Sequence, residues 1–164
     1  MVKVQLGVTV REASGSDVPA VLAITRAAFE GYREEMPDYG ALHETEDDIR
    51  GWLERGMVLL AEQDGVMVGS VRLAQLEDGD WYVGRLGIVP DAPGWVGSRL
   101  MREAEARARE HGGKAVRLGV LASRHRLRRY YERRGYVLTD VYRPDEAPDH
   151  PGWAWYRKDL LGDA

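Results

Sequence analysis

The segment Val89–Met101, VPDAPGWVGSRLM, joins a strand-like run to a helix-like one and sets Gly94 and Gly97 around Trp95. Residues of this type at a helix start can do one of two things. The free backbone amides at a helix N-terminus bind anions, a diphosphate above all. The same residues can equally form a plain strand-to-helix turn that contains glycine. No two glycines in the chain are separated by a single residue, so no G-x-G dinucleotide fingerprint exists, and no Walker A pattern occurs.

Other chemistries are excluded on residue type and spacing. The chain has no cysteine, which removes disulfides, thiolate metal ligands and thiol nucleophiles. His43, His111, His125 and His150 show no metal-ligand spacing, so no metal is expected. No serine lies in a G-x-S-x-G elbow. The net charge of −4 exerts no overall pull on nucleic acid. Charge is unevenly spread, however. Residues 30–48 carry eight carboxylates and one arginine, and residues 124–134 carry six arginines and one glutamate. Each run reads either as a solvated face or as a ligand-facing surface.

These residues need a scaffold. The 164 residues suit a single domain, 1–164, with one sizeable core. The N-terminal stretch lacks the apolar run of a signal peptide, and no segment approaches the about 20 apolar residues of a membrane helix. The expectation is a cytoplasmic protein that does not engage membranes.

Hydrophobic periodicity and turn chemistry supply the elements. VTVREA alternates as a first strand. Asp17 is the expected cap of a helix with Pro19 in its first turn and Val18, Val21, Leu22, Ala28 and Phe29 on one face. Thr45 and Asp48 have the spacing of a capping box, followed by the apolar stripe Ile49, Trp52, Leu53 and a stop at Gly56. MVLLAEQ and VMVGSVRLAQL flank Asp64-Gly65, a strong hairpin signal. The turn EDGD then leads into WYVGRLGIV. A third helix opens near Gly97, with Leu100, Met101, Ala104 and Ala108 inward, and closes at Gly112-Gly113. KAVRLGVLA reads as a buried strand. Ser123 is the expected cap of a fourth helix with Leu127, Tyr130 and Tyr131 inward and a stop at Gly135. YVLTDVY and WAWYRKDL follow as strands. The order β-α-α-β-β-β-α-β-α-β-β predicts an α/β (α+β) fold with a mixed central sheet and helices on both faces.

Two segments, LGIVPDAPGWVGSRLM and VLASRHRLRRYYERRGY, together resemble the signature segments of the GCN5-related N-acetyltransferase (GNAT) family. Tyr131-Glu132 followed by Gly135-Tyr136 matches the tyrosine–glutamate pair and glycine–aromatic pair of its later helix. The element order is also the family's, so the resemblance covers essentially the whole chain, most specifically residues 86–136. It implies transfer of an acetyl group from acetyl-CoA to a primary amine. It further implies that a splay between RLGIV and RLGVL admits the pantetheine arm, which would pair with Leu86, Gly87 and Ile88. The Ile88 amide would stabilise the oxyanion. The amides of Gly94, Trp95, Val96, Gly97 and Ser98 would hold the diphosphate. Tyr131 matches the family's general acid. Its reference pKa of about 10 lies close to the roughly 8.5 of a thiol.

The chain also departs from the pattern, with a degenerate pyrophosphate-binding loop. Pro93 stands where the family loop has an arginine, and Arg124 where the later helix often has asparagine. Arg99 or Arg124 is expected to take over part of the phosphate contact. Gly84 stands where many members have a glutamate base. Glu34, Asp38, His43, Asp149 and His150 are the candidates to replace it. The acidic loops suit a cationic acceptor, a small-molecule amine or a peptide N-terminus. The other reading is a binding module that uses the arginine-rich helix 124–134 for an anion, a nucleic acid or a partner protein. The last strand, with Trp153 and Trp155, offers an edge on which two copies could pair.

Overall fold

The computed structural model describes residues 7–146 and 149–161. In chain order the elements are β1 (Val8–Glu12), α1 (Val18–Phe29), α2 (Glu46–Arg55), β2 (Met57–Gln63), β3 (Val66–Gln75), β4 (Trp81–Ile88), α3 (Trp95–Glu110), β5 (Ala115–Leu121), α4 (His125–Arg133), β6 (Val137–Tyr142) and β7 (Trp153–Asp159). This is the order read from the sequence. The strands form one mixed sheet in the order β1-β2-β3-β4-β5-β7-β6, with the last strand inserted between β5 and β6. Among the described residues no helix is long and apolar enough to cross a membrane.

Local chemistry explains most element ends. Asp64 and Gly65 have φ of 51° and 82°, the two left-handed positions that a tight hairpin requires. The Thr45 amide donates to Asp48 Oδ2 at 2.8 Å and the Asp48 amide to Thr45 Oγ1 at 3.3 Å, completing the capping box of α2.

Three expectations need correction. Asp17 immediately precedes α1, but its carboxylate turns back to accept from the Ser14 amide (2.8 Å) and from Arg11 (2.9 Å). It therefore ties β1 to the approach of α1 instead of capping it. Ser123 does not cap α4, because its hydroxyl donates to Glu35 and Arg124 takes the position before the helix. The third helix starts at Trp95, earlier than expected, so Gly97 lies inside its first turn.

Both faces of the sheet are covered. Val18, Val21, Leu22 and Ile24 of α1 and Ile49 of α2 bury against Val58 and Leu60 on one side. Val96, Leu100, Met101 and Ala104 of α3 and Tyr131 of α4 bury against Leu59, Val71, Val83 and Leu118 on the other. At about 25 cal/mol per Å² of apolar surface removed from water, this double burial is the main favourable contribution to the fold.

The feature that matters for function lies in the middle of the sheet. β4 and β5 run parallel and pair only at Trp81–Val116 and Tyr82–Arg117. Beyond Tyr82, β5 pairs with β7 along its whole length. Opposite Ser70–Arg72, β4 carries an irregularity between Gly84 and Gly87, and Arg85 within it has φ of 51°. A bulge bends its strand, so the end of β4 diverges from β5.

Candidate active site

The divergence leaves a small cavity of about 60 Å³ between the strands. Leu86 of β4, Leu118 and Leu121 of β5, and Tyr131 of α4 line it, together with Phe29, Tyr32 and Tyr39 from the segment around the end of α1. Tyr131 is 5% exposed and packs edge-on against Tyr130 and Tyr136. Burial, then the neighbouring Tyr130 and Tyr32, push its phenol well above the ordinary tyrosine range, against a smaller opposing effect of Arg134. Tyr131 is therefore protonated near neutral pH, and it holds its proton more tightly than the reference value, close to that of a thiol, suggests.

Leu86 faces this cavity, whereas Gly87 is buried under α1, where a Cβ would come within 2.9 Å of Ala28 Cβ. The Ile88 side chain turns to α3 and packs near Gly69 and Gly97. Its amide faces elsewhere. The Val89 amide donates to Val68 O on β3 at 2.9 Å, and successive amides of a strand alternate in direction, so the Ile88 amide faces the splayed edge.

At the head of α3 the Val96 amide is bonded to Pro93 O at 3.1 Å. Gly94, Trp95 and Gly97 carry the amides that a helical ladder leaves over. Gly94 has open space where a Cβ would stand, and Trp95 packs against the main core. An anion thus has room to approach these amides. The Ser98 hydroxyl is joined to Tyr130 Oη at 2.9 Å, which ties α3 to α4.

The two arginines expected at the phosphates are not brought together. Arg99 reaches Val8 O on β1 (3.4 Å) and pairs with Glu103 (3.6 Å). Arg124 stacks on Tyr32 with 3.9 Å to the ring centre, and pairs with Glu35 at 3.3 Å.

The loops that carry the candidate bases do meet. Glu35, Met36, Pro37 and Asp38 share a pocket of about 500 Å³ with Asp149, His150 and Pro151. His150 Nδ1 accepts from the Gly152 amide at 2.8 Å, which leaves the ring proton on Nε2. His43 Nε2 donates to Pro37 O at 2.7 Å, since a carbonyl only accepts. Glu34 is exposed and lines no pocket described here. Much of the acidic run is committed inside the fold. Glu30 pairs with Arg33, Glu35 with Arg124, Glu44 with Arg72, Glu46 and Asp47 with Arg50, and Asp48 belongs to the α2 cap.

Sequence reasoning missed a buried polar centre beside the splay. Arg72 of β3, 2% exposed, donates from both terminal nitrogens to Glu44, one contact being 2.6 Å. It also donates to Thr25 Oγ1 at 3.2 Å, and that hydroxyl donates to Val21 O at 2.8 Å. Arg85 approaches the same carboxylate, with Nε 3.6 Å from Glu44 Oε2, and lies over the Tyr39 ring. The available signal was Arg72 itself, a charge within an otherwise apolar stretch of a central strand. Beside this centre, a pocket of about 460 Å³ opens between α2 and β4. Gly84 lines the splay cavity, and a Cβ there would come within 2.2 Å of Tyr82 Oη. The tyrosine hydroxyl thus occupies the place where a side chain at 84 would begin.

Comparison with known proteins places this geometry. No curated protein sequence matches the chain. Solved structures with the same fold include the PaiA N-acetyltransferase from Thermoplasma acidophilum in complex with coenzyme A, at 15% identity over 93% of this chain and 98% of that one, TM-score 0.77. Another is yncA from Salmonella typhimurium with its cofactor acetyl-CoA, at 16% identity over 96% of each chain, TM-score 0.76. A third is the ribosomal-protein-alanine N-acetyltransferase from Brucella melitensis, at 19% identity over 92% of this chain and 99% of that one, TM-score 0.75. At such identities the likeness concerns the fold. The model of the acetyltransferase (GNAT) family matches residues 23–136 of the 164, which spans both signature segments and the splay between them. This chain belongs to the GNAT acetyltransferase family.

Proposed function

We propose that the protein transfers an acetyl group from acetyl-CoA directly to a primary amine, with Tyr131 as general acid. The observation that carries this reading is the end of β4–β5 pairing after Tyr82, which opens a cleft lined by Leu86 and Tyr131. The pantetheine arm enters this cleft and pairs with the backbone of Leu86 and Ile88, whereas Gly87, expected to share this role, turns its backbone to Ser70 of β3. Its diphosphate rests on the leftover amides of Gly94, Trp95 and Gly97.

The amine nitrogen attacks the thioester carbonyl, and the Ile88 amide stabilises the resulting oxyanion. The carbon–sulfur bond then breaks, and the thiolate takes the Tyr131 phenol proton. Gly84 offers no side chain to take a proton, so the amine arrives neutral, its proton released to solvent. The nitrogen, cationic after the attack, gives its extra proton to water as the product amide forms and leaves, and water returns a proton to Tyr131. The acceptor is a small-molecule amine or a peptide N-terminus.

Use of helix 124–134 as an anion-binding face has less support. Arg124, Arg128 and Arg134 are turned to internal partners, namely Glu35, Tyr156 and Glu105.

Free-thiol release from acetyl-CoA across a panel of primary amines tests the proposal. Amine-dependent release is expected, together with thermal stabilisation of about 2.7 kcal/mol when acetyl-CoA is present at 100 times its Kd. No release with any amine and no thermal shift would overturn it.

A further inference from the structure

Arg85 shares its counter-charge, because the same Glu44 carboxylate serves both Arg72 and Arg85. Its neighbour Glu44 is already matched, because Arg72 grips both carboxylate oxygens. Arg85 Nε stands 3.6 Å from Glu44 Oε2, beyond hydrogen-bond reach, and is a buried donor with no hydrogen-bond partner among the described residues. Its other contacts are with Tyr39, through the hydroxyl at 3.5 Å and the ring face at 5.3 Å. These do not neutralise it. A partly buried guanidinium of this kind is best satisfied by an anion.

Arg85 also occupies a junction. It lines the splay cavity and the pocket between α2 and β4. The bulge at φ 51° holds it there, in a conformation that side-chain-bearing residues seldom adopt. Trp52 and Tyr82 supply flat apolar surface to the larger pocket, with ring centres 6.1 Å apart, and Arg55 lies over Trp52. The carboxylates around this pocket are committed. Glu44 belongs to Arg72, Asp47 to Arg50, and Asp48 to the Thr45 cap. Three arginines, Arg55, Arg72 and Arg85, line the pocket with these carboxylates, and Glu44 is shared between two of them.

We infer that Arg85 receives a carboxylate of the acceptor, and that the acceptor is an α-amino acid with a flat apolar side chain. This inference rests on the acetyl-transfer reading above. In an α-amino acid, amine and carboxylate share one carbon. A carboxylate on Arg85 therefore sets the amine in the splay and the side chain against Trp52 and Tyr82. A polyamine would instead set an ammonium group against the Arg85 guanidinium.

Calorimetric titration with L-phenylalanine, L-phenylalaninamide and spermidine, with and without excess coenzyme A, tests this. Phenylalanine is expected to bind about tenfold or more tightly than its amide, the value of one charge-assisted contact. Arg85→Gly should abolish that difference, because glycine accepts the left-handed backbone of the bulge and only the guanidinium is lost. Equal affinity for acid and amide, tighter binding of spermidine, no detectable binding of phenylalanine, or a preference that survives Arg85→Gly would overturn the assignment. Titration of acetyl-CoA separates the two ideas. Thioester binding without acid preference refutes the acceptor class alone. Acid preference without thioester binding supports the carboxylate site and refutes acetyl transfer.

Discussion

Glu35 and Arg124 are paired at 3.3 Å, which links the segment after α1 to the head of α4 beside the splay. Ser123 donates to the same glutamate, and Arg124 stacks on Tyr32, one of the residues lining the splay cavity. That cavity holds about 60 Å³, the share of roughly two waters in the liquid. A pantetheine arm needs more room, and parting of the Glu35–Arg124 pair, a strap beside the splay, is expected to help the thioester enter. Both side chains of the pair are one-third exposed, which limits its strength. Glu35→Ala is expected to raise the association rate of acetyl-CoA by up to about fivefold, read by stopped-flow fluorescence. An unchanged rate would show that the strap does not gate entry.

Tyr131→Phe should reduce kcat by about 100-fold or more while the Kd for acetyl-CoA stays near the wild-type value. Since burial raises the phenol pKa, Tyr131 stays protonated as the pH rises. Activity should therefore increase with pH as the amine loses its proton, with no downturn from Tyr131 up to about pH 10. A basic limb near pH 8 that disappears in Tyr131→Phe would contradict this.

The Glu44–Arg72 pair is a matter of stability. Both partners are buried, so Glu44→Ala leaves an uncompensated guanidinium inside the protein. Urea unfolding should show a loss of about 3–5 kcal/mol for the single change. The double variant Glu44→Leu, Arg72→Met should recover much of it. A single-variant loss below about 1 kcal/mol would mean that water or the Asp48 carboxylate compensates the Arg72 guanidinium.

Asp17 makes stability depend on acid. Hydrogen bonds from Arg11, then from the Ser14 amide, hold its carboxyl well below the usual range. A depressed folded-state pKa contributes stability that is present above the unfolded value of about 3.9 and disappears as the pH falls towards the folded one. The difference in stability between wild type and Asp17→Asn should be greatest above about pH 5 and shrink steadily towards pH 2. A constant gap across that range in pH-dependent denaturation would refute the linkage.

What could be read from the chain alone was local. Asp64-Gly65 announces its hairpin because few residues tolerate two left-handed positions, and Thr45 and Asp48 announce a helix start by their spacing. Tyr131 and Leu86, singled out through the two signature segments, line one cavity. The illegible parts depend on partners distant in sequence. Nothing near Asp17 or Ser123 shows that Arg11 or Glu35 will claim the side chain that a helix could have used. Arg72 and Glu44 lie 28 residues apart, and only the stacking of α1 and α2 on the sheet brings them together. The left-handed Arg85 follows from the bulge in β4, and no residue type there signals it.

The insertion of β7 between β5 and β6 also orders events during synthesis. β6 pairs only with β7, and β5 gains its second neighbour only from β7. A nascent chain that has emerged as far as Tyr142 can assemble β1 to β4 but must keep one flank of β5 and the whole of β6 unzipped until Trp153–Asp159 leaves the ribosome. A message truncated before that last strand would yield a half-sheet with a raw seam, a substrate for chaperones and proteases rather than a shortened enzyme.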